Sequence, residues 1–222
     1  MTSNTAITLD GRIAVSASRF VPCGSAQDQR FLSTLRSRAD AVLVGGNSFR
    51  CTPIPLLPGP EDLPKLSRPL PFWNIIVSRS LALPFDAAYL AEPRIRRLVL
   101  TAAANRGTAL PCELACPQAG EPTPPWIVSE LAARGIANLL IEAGGDLIYQ
   151  FVAADLIDEL FVTLCPVLLG CRGAPALADG PHPLGDPFRR LSLEGVRVEG
   201  DEVFLHYVRR GARAASPSTC SP

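Results

Sequence analysis

Histidine is scarce in this sequence, which contains only His182 and His206. With so few histidines, we expect neither a histidine-based catalytic triad nor a histidine-rich metal centre. The seven cysteines are odd in number and irregularly spaced, and no second pair or neighbouring histidine completes a zinc site around Cys112 and Cys116. We therefore expect a protein that holds no metal and keeps its thiols reduced.

Long apolar runs are also missing, because no stretch approaches the roughly 18 residues that span a bilayer. Residues 1–5 have neither the charged nor the apolar segment of a secretory signal. The 21 basic and 21 acidic residues balance without a long run of either sign. That balance disfavours nucleic-acid and membrane-surface partners. These absences predict a cytoplasmic protein that binds neither membranes nor nucleic acids.

The chain has 222 residues, 47% of them hydrophobic, which suffices for one domain with a substantial core. Strands and helices alternate along it, which predicts an α/β domain whose largely parallel sheet is covered on both faces. Late strands at 158–165, 189–198 and 202–208 lack intervening helices, so we expect the sheet to be mixed. We expect one domain over residues 1–208 and a disordered tail over 209–222.

Three local patterns indicate turns and loops. Asp10 and Gly11 within the alternating residues 6–15 predict a turn between two short strands. Ser25, with Asp28 three residues later, has the pattern of a capping box at the start of a helix. Seven prolines between residues 51 and 71 exclude a regular helix and predict a long extended loop, a feature that is often functional.

The most informative segment is residues 138–148, NLLIEAGGDLI, which predicts a buried strand, a glycine turn and the first turn of a helix. The start of a helix carries free N–H groups and a partial positive charge that can hold a phosphate. Gly144 and Gly145 would let a phosphate approach the backbone. Glu142 ends the strand, where open α/β sheets place their ligands. The segment therefore indicates a nucleotide cofactor beside a carboxylate.

Four segments, taken in order, resemble one protein family. They are residues 8–14 (TLDGRIA), 35–45 (LRSRADAVLVG), 140–145 (LIEAGG), and 156–160 (LIDEL) followed by 166–170 (PVLLG). The chain is similar to the reductase domain of bacterial riboflavin biosynthesis, the 5-amino-6-(5-phosphoribosylamino)uracil reductase. The resemblance implies a three-layer dihydrofolate-reductase-like fold with a central mixed, mostly parallel sheet.

The same resemblance implies an oxidoreductase that passes a hydride from NADPH to the opened ribosyl carbon of a phosphoribosylaminopyrimidine, without a metal. It also implies a homodimer, for which the apolar segment 160–169 is a candidate interface, or simply core. An arginine such as Arg79 could hold the 2′-phosphate of the cofactor. The positions implied for cofactor binding are Ser48, Arg79, Gly144, Gly145, Asp146, Leu147 and Ile148.

The resemblance implies that Arg36 and Glu142 contact the substrate. Arg36 suits a phosphate or a uracil oxygen. Glu142 is the first candidate catalytic residue, since its carboxylate could bind ring N–H groups or stabilise a developing iminium. Asp10 is the second candidate, which could line the site or serve only to form its turn.

The sequence departs from the family pattern in three places. Residues 19–22 (RFVP) lack the family's tryptophan, residues 48–53 (SFRCTP) lack its aspartate, and residues 54–66 lack its second arginine. Two alternatives therefore stay open: a reductase of a dihydropterin or dihydrofolate-like substrate, and a non-catalytic nucleotide-binding member. We expect the deaminase that often precedes such a domain to be a separate protein or absent.

Overall fold

A nine-stranded sheet forms the centre of the computed structural model, which describes residues 1–186 and 188–210. The strands are β1 (Thr2–Thr8), β2 (Ala41–Gly45), β3 (Phe72–Val77), β4 (Ile95–Leu100), β5 (Glu113–Ala115), β6 (Leu139–Ile141), β7 (Glu159–Cys165), β8 (Leu191–Glu199) and β9 (Glu202–Arg209). The helices are α1 (Ala26–Arg38), α2 (Gly46–Cys51), α3 (Ala87–Ala91), α4 (Pro124–Ala133) and α5 (Gly145–Ala153). None of these helices is long and apolar enough to cross a membrane.

The strand order is β5-β4-β3-β2-β6-β1-β7-β9-β8. Every pairing among β1 to β7 is parallel, whereas β9 pairs antiparallel with both β7 and β8. The mixed, mostly parallel sheet is therefore confirmed. Because the carboxyl ends of parallel strands lie at one edge, the loops after β1, β2, β6 and β7 meet there.

Alternate residues of the strands bury two opposite faces of the sheet. On one face, Val42, Val44 and Phe72 pack against α1, α2 and α3. On the other face, Leu43, Ile75 and Leu98 pack against α4 and α5. Burial on both faces explains why β2 is a continuous apolar run rather than an alternating one. The predicted three layers are present.

The segment 160–169 was a candidate for either a dimer interface or the core. Its residues 160–165 belong to β7, which lies in the core because it is an interior strand between β1 and β9. Leu160 and Val162 are buried. The late strands predicted at 189–198 and 202–208 are β8 and β9, which form a hairpin that turns at Gly200 with a φ of 60°. Strand β9 continues through Arg209, and residues 211–222 of the predicted tail lie outside the described residues.

The residues after β1 do not form the predicted second strand of a hairpin. The turn itself is present, since the N–H of Gly11 donates to the carbonyl oxygen of Thr8 at 2.9 Å. Beyond it, the N–H of Ile13 donates to the carbonyl oxygen of Pro175 at 3.0 Å. Strand β1 pairs instead with β6 and β7. The Asp-Gly signal identifies the turn, but long-range contacts determine the path of the chain beyond it.

Ser25 is the N-cap of α1, as predicted, and its Oγ accepts a hydrogen bond from the N–H of Gln27 at 3.0 Å. The capping box with Asp28 is wrong. The N–H of Ser25 donates to Oε1 of Glu202 at 2.7 Å, and its hydroxyl donates to Oε2 at 2.6 Å. A buried carboxylate from β9 therefore replaces the local one and ties α1 to the terminal hairpin.

The proline-rich loop contains no regular α-helix between residues 52 and 71, as predicted, and has one 3-10 turn at Leu63–Lys65. Its position is fixed by Asn74, a buried side chain of β3. Oδ1 of Asn74 accepts from the N–H of Leu56 at 2.8 Å, and Nδ2 donates to the Leu56 carbonyl oxygen at 2.9 Å. The N–H of Gly59 also donates to Oγ of Ser33 at 2.7 Å. The loop is thus held against the sheet and α1.

Candidate active site

Two glycine pairs lie side by side at the carboxyl edge of the sheet. Residues 45–46 lie where β2 ends, residues 144–145 come shortly after β6, and these two strands are paired neighbours. A helix begins at the second glycine of each pair. On the other side of β6 lies β1, and the pairing between them ends at Ser3 and Ile141. Residues 4–8 of β1 therefore extend past the end of β6. The short β6 therefore leaves room between β1 and the glycine turns.

The two glycines after β6 have different surroundings. A Cβ built on Gly144 meets nothing within 4 Å, so this residue faces open space. A Cβ built on Gly145 would overlap the carbonyl oxygen of Ala176 and lie 3.1 Å from the backbone nitrogen of Asp179. The sequence predicted that both glycines admit a phosphate. In the structure, Gly144 is the open one, and Gly145 accommodates the protein's own loop.

The first turn of α5 presents two backbone donors to this space. The N–H groups of Leu147 and Ile148 both bond to the carbonyl oxygen of Gly144. Within the described part of the chain, the N–H groups of Gly145 and Asp146 have no such acceptor, as expected for a helix start. The side chains of Leu147 and Ile148 are buried in the core, and their N–H groups are used within the helix. The carboxylate of Asp146 is exposed.

Arg36 and Glu142 form a two-point ion pair. The Arg36 Nε donates to Oε1 of Glu142 at 2.7 Å, and Nη2 donates to Oε2 at 2.6 Å. The Arg36 and Glu142 side chains are 16% and 12% exposed. Burial opposes the charge on Arg36, but Glu142 outweighs it and raises the pKa of Arg36 above its ordinary value. The two parallel hydrogen bonds fix both side chains in orientation.

The same arginine extends the site to the proline-rich loop, because its Nη1 donates to the carbonyl oxygen of Leu57 at 3.0 Å. Arg36 thus has all three of its guanidinium nitrogens engaged by the protein. Three of its five N–H donors are therefore used by the protein, which leaves at most one on each Nη for a substrate phosphate. The geometry favours a role for Arg36 in holding Glu142 and the loop.

Asp10 has both carboxylate oxygens in use. Oδ1 accepts from the hydroxyl of Thr8 at 2.7 Å and from the N–H of Leu169 at 3.0 Å, and Oδ2 accepts from the N–H of Gly170 at 2.9 Å. These bonds lower the pKa of Asp10 below its ordinary value, and the bond from Leu169 has the largest effect. An ionised carboxylate does not supply a proton, so the geometry supports its turn-forming alternative.

Ser48 and Arg79 lie at the same edge, farther from β1. Ser48 is half-buried in α2. Arg79 is exposed just beyond β3, and its carbonyl oxygen accepts from the side-chain amide of Asn105 at 2.7 Å. The guanidinium of Arg79 has no ion-pair partner within residues 1–186 and 188–210. Both residues therefore lie at the same edge of the sheet as the turn at Gly144.

A cavity of about 250 Å³ lies on the other side, where the turn after β1 meets the loop after β7. Its walls are Thr8, residues 12–15, residues 21–23 and residues 167–169. This volume is slightly below the usual range for ligand pockets, so it suits part of a ligand rather than a whole dinucleotide. The hydrogen bonds of Asp10 fasten two of the walls to each other.

Two buried polar side chains, on the face of the sheet that α1 covers, were not predicted as site residues. Asn4 lies in β1 one position beyond the pairing of Ser3 with Ile141, beside Glu142. Its Oδ1 has no hydrogen-bond partner among the described residues. Asp28 is 3% exposed, and its Oδ1 also lacks a partner there. No sequence signal marks either residue, since polar strand residues and first-turn acids are ordinary.

The carboxyl group of Asp28 is destabilised as an anion. Burial raises its pKa above the ordinary value, and the charges of Glu202 and Glu142 raise it further. The nearby hydroxyl of Thr163 and the hydrogen bond that Nε2 of Gln29 donates at 3.3 Å lower the pKa of Asp28 without cancelling this effect. An acid whose pKa is raised by folding contributes stability below its unfolded pKa and loses it as pH rises through the folded value.

Replacing Asp28 with asparagine is therefore expected to stabilise the protein at neutral pH by about 1 kcal/mol or more, the order of cost of an unsatisfied buried charge. The gain should shrink as pH falls towards about 4, where an ordinary carboxyl group protonates. Urea unfolding at several pH values measures it. The control is Asp62→Asn, because bonds from Lys65 and Ser33 lower the pKa of Asp62 and predict the opposite sign. A gain that is independent of pH would contradict the prediction.

Comparison with known proteins now identifies the family. The model of the RibD C-terminal domain family matches residues 1–205 of the chain. This chain belongs to the RibD C-terminal domain family. The family model confirms the resemblance drawn from the sequence motifs. It covers almost the whole of the described structure, through β8 and the first half of β9.

The chain is also similar to proteins of known name. The chain is 27% identical to the 2,5-diamino-6-ribosylamino-4(3H)-pyrimidinone 5′-phosphate reductase of Methanothermobacter thermautotrophicus, over 94% of this chain and 97% of that protein. It is 28% identical to the riboflavin biosynthesis protein RibD of Synechocystis, over 77% of this chain and 46% of that protein. The chain thus spans most of the archaeal reductase and about half of RibD. Family and relatives together confirm the prediction of an oxidoreductase.

Solved RibD structures share the fold. The RibD of Acinetobacter baumannii superposes on 93% of this chain with a TM-score of 0.75, at 22% identity and over 57% of that protein. The riboflavin biosynthesis reductase Rib7 of Saccharomyces cerevisiae covers 93% of this chain and 88% of its own, with a TM-score of 0.65 at 16% identity. At such identities the likeness bears on the fold, which is the predicted dihydrofolate-reductase-like one.

Proposed function

We propose that this chain is an NADPH-dependent reductase of riboflavin biosynthesis, which transfers a hydride to the ribosyl carbon of a phosphoribosylaminopyrimidine. The observation that carries the proposal is the buried Arg36–Glu142 pair beside the open turn at Gly144. It sets a carboxylate of fixed position next to a helix start that accepts anions. The archaeal relative matched over nearly its whole length is named for reduction of such a substrate.

The cofactor would lie with its diphosphate at the start of α5. The open space at Gly144 and the outward N–H groups of Gly145 and Asp146 fit an anion, although the exposed carboxylate of Asp146 opposes one. Ser48 and Arg79 extend the site along the same edge. When bound, NADPH supplies the hydride, and the protein's part is to orient the partners and exclude water.

Glu142 is the residue that we assign to the reacting carbon. Opening the ribose ring breaks the bond between its ribosyl carbon and ring oxygen, the oxygen takes up a proton, and an iminium forms at that carbon. A pre-oriented carboxylate stabilises this positive charge. Arg36 keeps Glu142 in place, and the free Oδ1 of Asn4 could accept a hydrogen bond from a pyrimidine amino group.

A substrate panel tests the proposal. Purified protein with NADPH would be given 5-amino-6-(5-phosphoribosylamino)uracil, its 2,5-diamino-pyrimidinone counterpart and a dihydropterin in parallel, with loss of reduced nicotinamide as the readout. We expect turnover of a phosphoribosylaminopyrimidine. Turnover of the pterin alone would support the alternative of a redirected pocket, and NADPH binding without any turnover would support a non-catalytic member.

Arg79→Ala is expected to narrow the preference for NADPH over NADH by about tenfold, because an arginine fork binds the 2′-phosphate by charge-assisted hydrogen bonds. The measurement is kcat/KM with each cofactor. Arg94→Ala is the matched control, since Arg94 is exposed and precedes β4 at the opposite edge of the sheet. An unchanged cofactor preference in Arg79→Ala would mean that another residue reads the 2′-phosphate.

The chain would act in the cytoplasm as a homodimer. The edge strand β8 exposes Val196 and Val198, at 56% and 68%, and an apolar sheet edge is a surface that a second copy would cover. Sedimentation analysis is expected to give the mass of two chains. The mass of a single chain would contradict this part of the proposal.

A further inference from the structure

Two cysteines meet between the loop before α1 and the end of β7. Cys165 is the last residue of β7, is opposite Thr8 of β1 in the strand register, and is fully buried. Cys23 lies two residues before the helix cap, is half-buried, and lines the 250 Å³ cavity. The N–H of Ser25 donates to Glu202 at 2.7 Å, and Glu202 adjoins Val203, which pairs with Leu164, so the chain brings Cys23 beside Cys165. The Cys165 thiol contacts the carbonyl oxygen of Thr163 at 3.7 Å, and both thiols are free.

The surroundings make the two thiols unequal. Contact with Cys165 lowers the pKa of Cys23 below its ordinary value. The same contact, followed by burial, raises the pKa of Cys165. Cys23 is also the one that a small molecule in the cavity can reach. Cys23 is therefore the thiol that reacts first, and Cys165 lies behind it as the second.

Other described cysteines lie in different surroundings. The thiols of Cys51 and Cys171 contact the backbone carbonyl oxygens of Ala17 and Arg172. Burial raises the pKa of Cys112. Unlike these three cysteines, Cys23 lies on a cavity wall with a second cysteine, Cys165, beside it.

We propose that Cys23 and Cys165 are a site of reversible disulfide formation, driven by small disulfides of the oxidised glutathione type. The Cys23 thiolate attacks one sulfur of the oxidant, forming a mixed disulfide and releasing one thiolate, which takes up a proton. Cys165 then gives up its proton and displaces the second glutathione. Two protein thiols are oxidised, one disulfide is reduced to two thiols, and a dithiol reductant reverses the exchange.

The bond would tie residues 21–23 to the end of β7. These two segments flank the same cavity, so the disulfide would fix the distance between its walls. Formation of the bond depends on the thiols alone and does not require that the proposed reductase activity be correct.

The test exposes the full-length protein to oxidised glutathione and counts free thiols after denaturation. We expect the count to fall from the seven cysteines of the sequence to five. The mass should decrease by two hydrogen atoms, and peptide mapping should join Cys23 to Cys165. Dithiothreitol should restore all seven thiols. Seven thiols after oxidation, or a bond that joins any other pair, would overturn the proposal.

Serine variants test the order of the two steps. Cys165→Ser is expected to stop at a glutathione adduct on Cys23, whereas Cys23→Ser should gain neither the adduct nor the bond. Cys171→Ser is the matched control, and it should form the disulfide like the wild type. Glutathione attached to Cys165 in the Cys23→Ser variant would overturn the assigned order. If a variant fails to fold, peptide mapping of the oxidised wild-type protein still shows whether Cys23 and Cys165 form the disulfide.

Discussion

Replacing Arg36 with methionine is expected to lower the free energy of unfolding by about 3–5 kcal/mol, because it leaves the buried carboxylate of Glu142 without its partner. Methionine retains most of the apolar stem, so the loss reports on the charge rather than on packing. Urea unfolding measures the change. Arg30→Met on the same helix is the matched control, since Arg30 is exposed and its replacement should change stability by less than about 0.5 kcal/mol.

The second charge completes the experiment. The double variant Arg36→Met with Glu142→Gln removes both charges and is expected to regain most of the lost stability. It should nevertheless stay inactive, because the carboxylate assigned to the reacting carbon is gone. If the two substitutions were additive in stability, the pair would not be coupled in solution. Restored turnover in the double variant would remove Glu142 from the catalytic account.

The substitution Gly144→Glu is expected to weaken NADPH binding by about ten- to a hundredfold, with little change in the free energy of unfolding. The backbone of Gly144 has φ −71° and ψ 165°, which any residue adopts, and a Cβ there meets nothing within 4 Å. A negative side chain at the start of α5 would oppose the diphosphate. Titration of NADPH fluorescence measures the affinity, and Gly144→Ala is the uncharged control.

The neighbouring position should behave in the opposite way. Gly145→Ala is expected to cost about 1–3 kcal/mol of stability, because its Cβ would overlap the backbone of Ala176. NADPH affinity, measured on the fraction that remains folded, should change less than in Gly144→Glu. Unaltered NADPH affinity in Gly144→Glu would place the diphosphate elsewhere. Full stability in Gly145→Ala would show that the loop at 176–179 yields easily.

Local pattern was sufficient for most of the fold. The apolar run of β2 and the proline start of α4 each specify their element through backbone and burial preferences. The short α3 and β5 were not predicted, because five and three residues carry little periodicity. The second strand predicted after Gly11 is wrong because Ile13 bonds instead to Pro175, which is 162 positions away in the sequence.

The candidate site shows the same limit more sharply. Motifs identified Arg36 and Glu142 separately, but 106 positions separate them, and only the fold reveals that they bind each other. The carboxylate of Asp10 is engaged by Leu169 and Gly170, which a local turn signal does not predict. A doublet of glycines likewise does not reveal which one faces open space and which one faces the protein.

The most direct test of the central claim uses NADPH that carries deuterium at the transferable position of its nicotinamide. After reaction with 5-amino-6-(5-phosphoribosylamino)uracil or its 2,5-diamino counterpart, the product would be analysed by mass spectrometry and NMR. The account predicts one deuterium on the carbon that was the ribosyl carbon, now part of a ribityl chain. A product without deuterium at that carbon, or no reduction of either substrate, would contradict it.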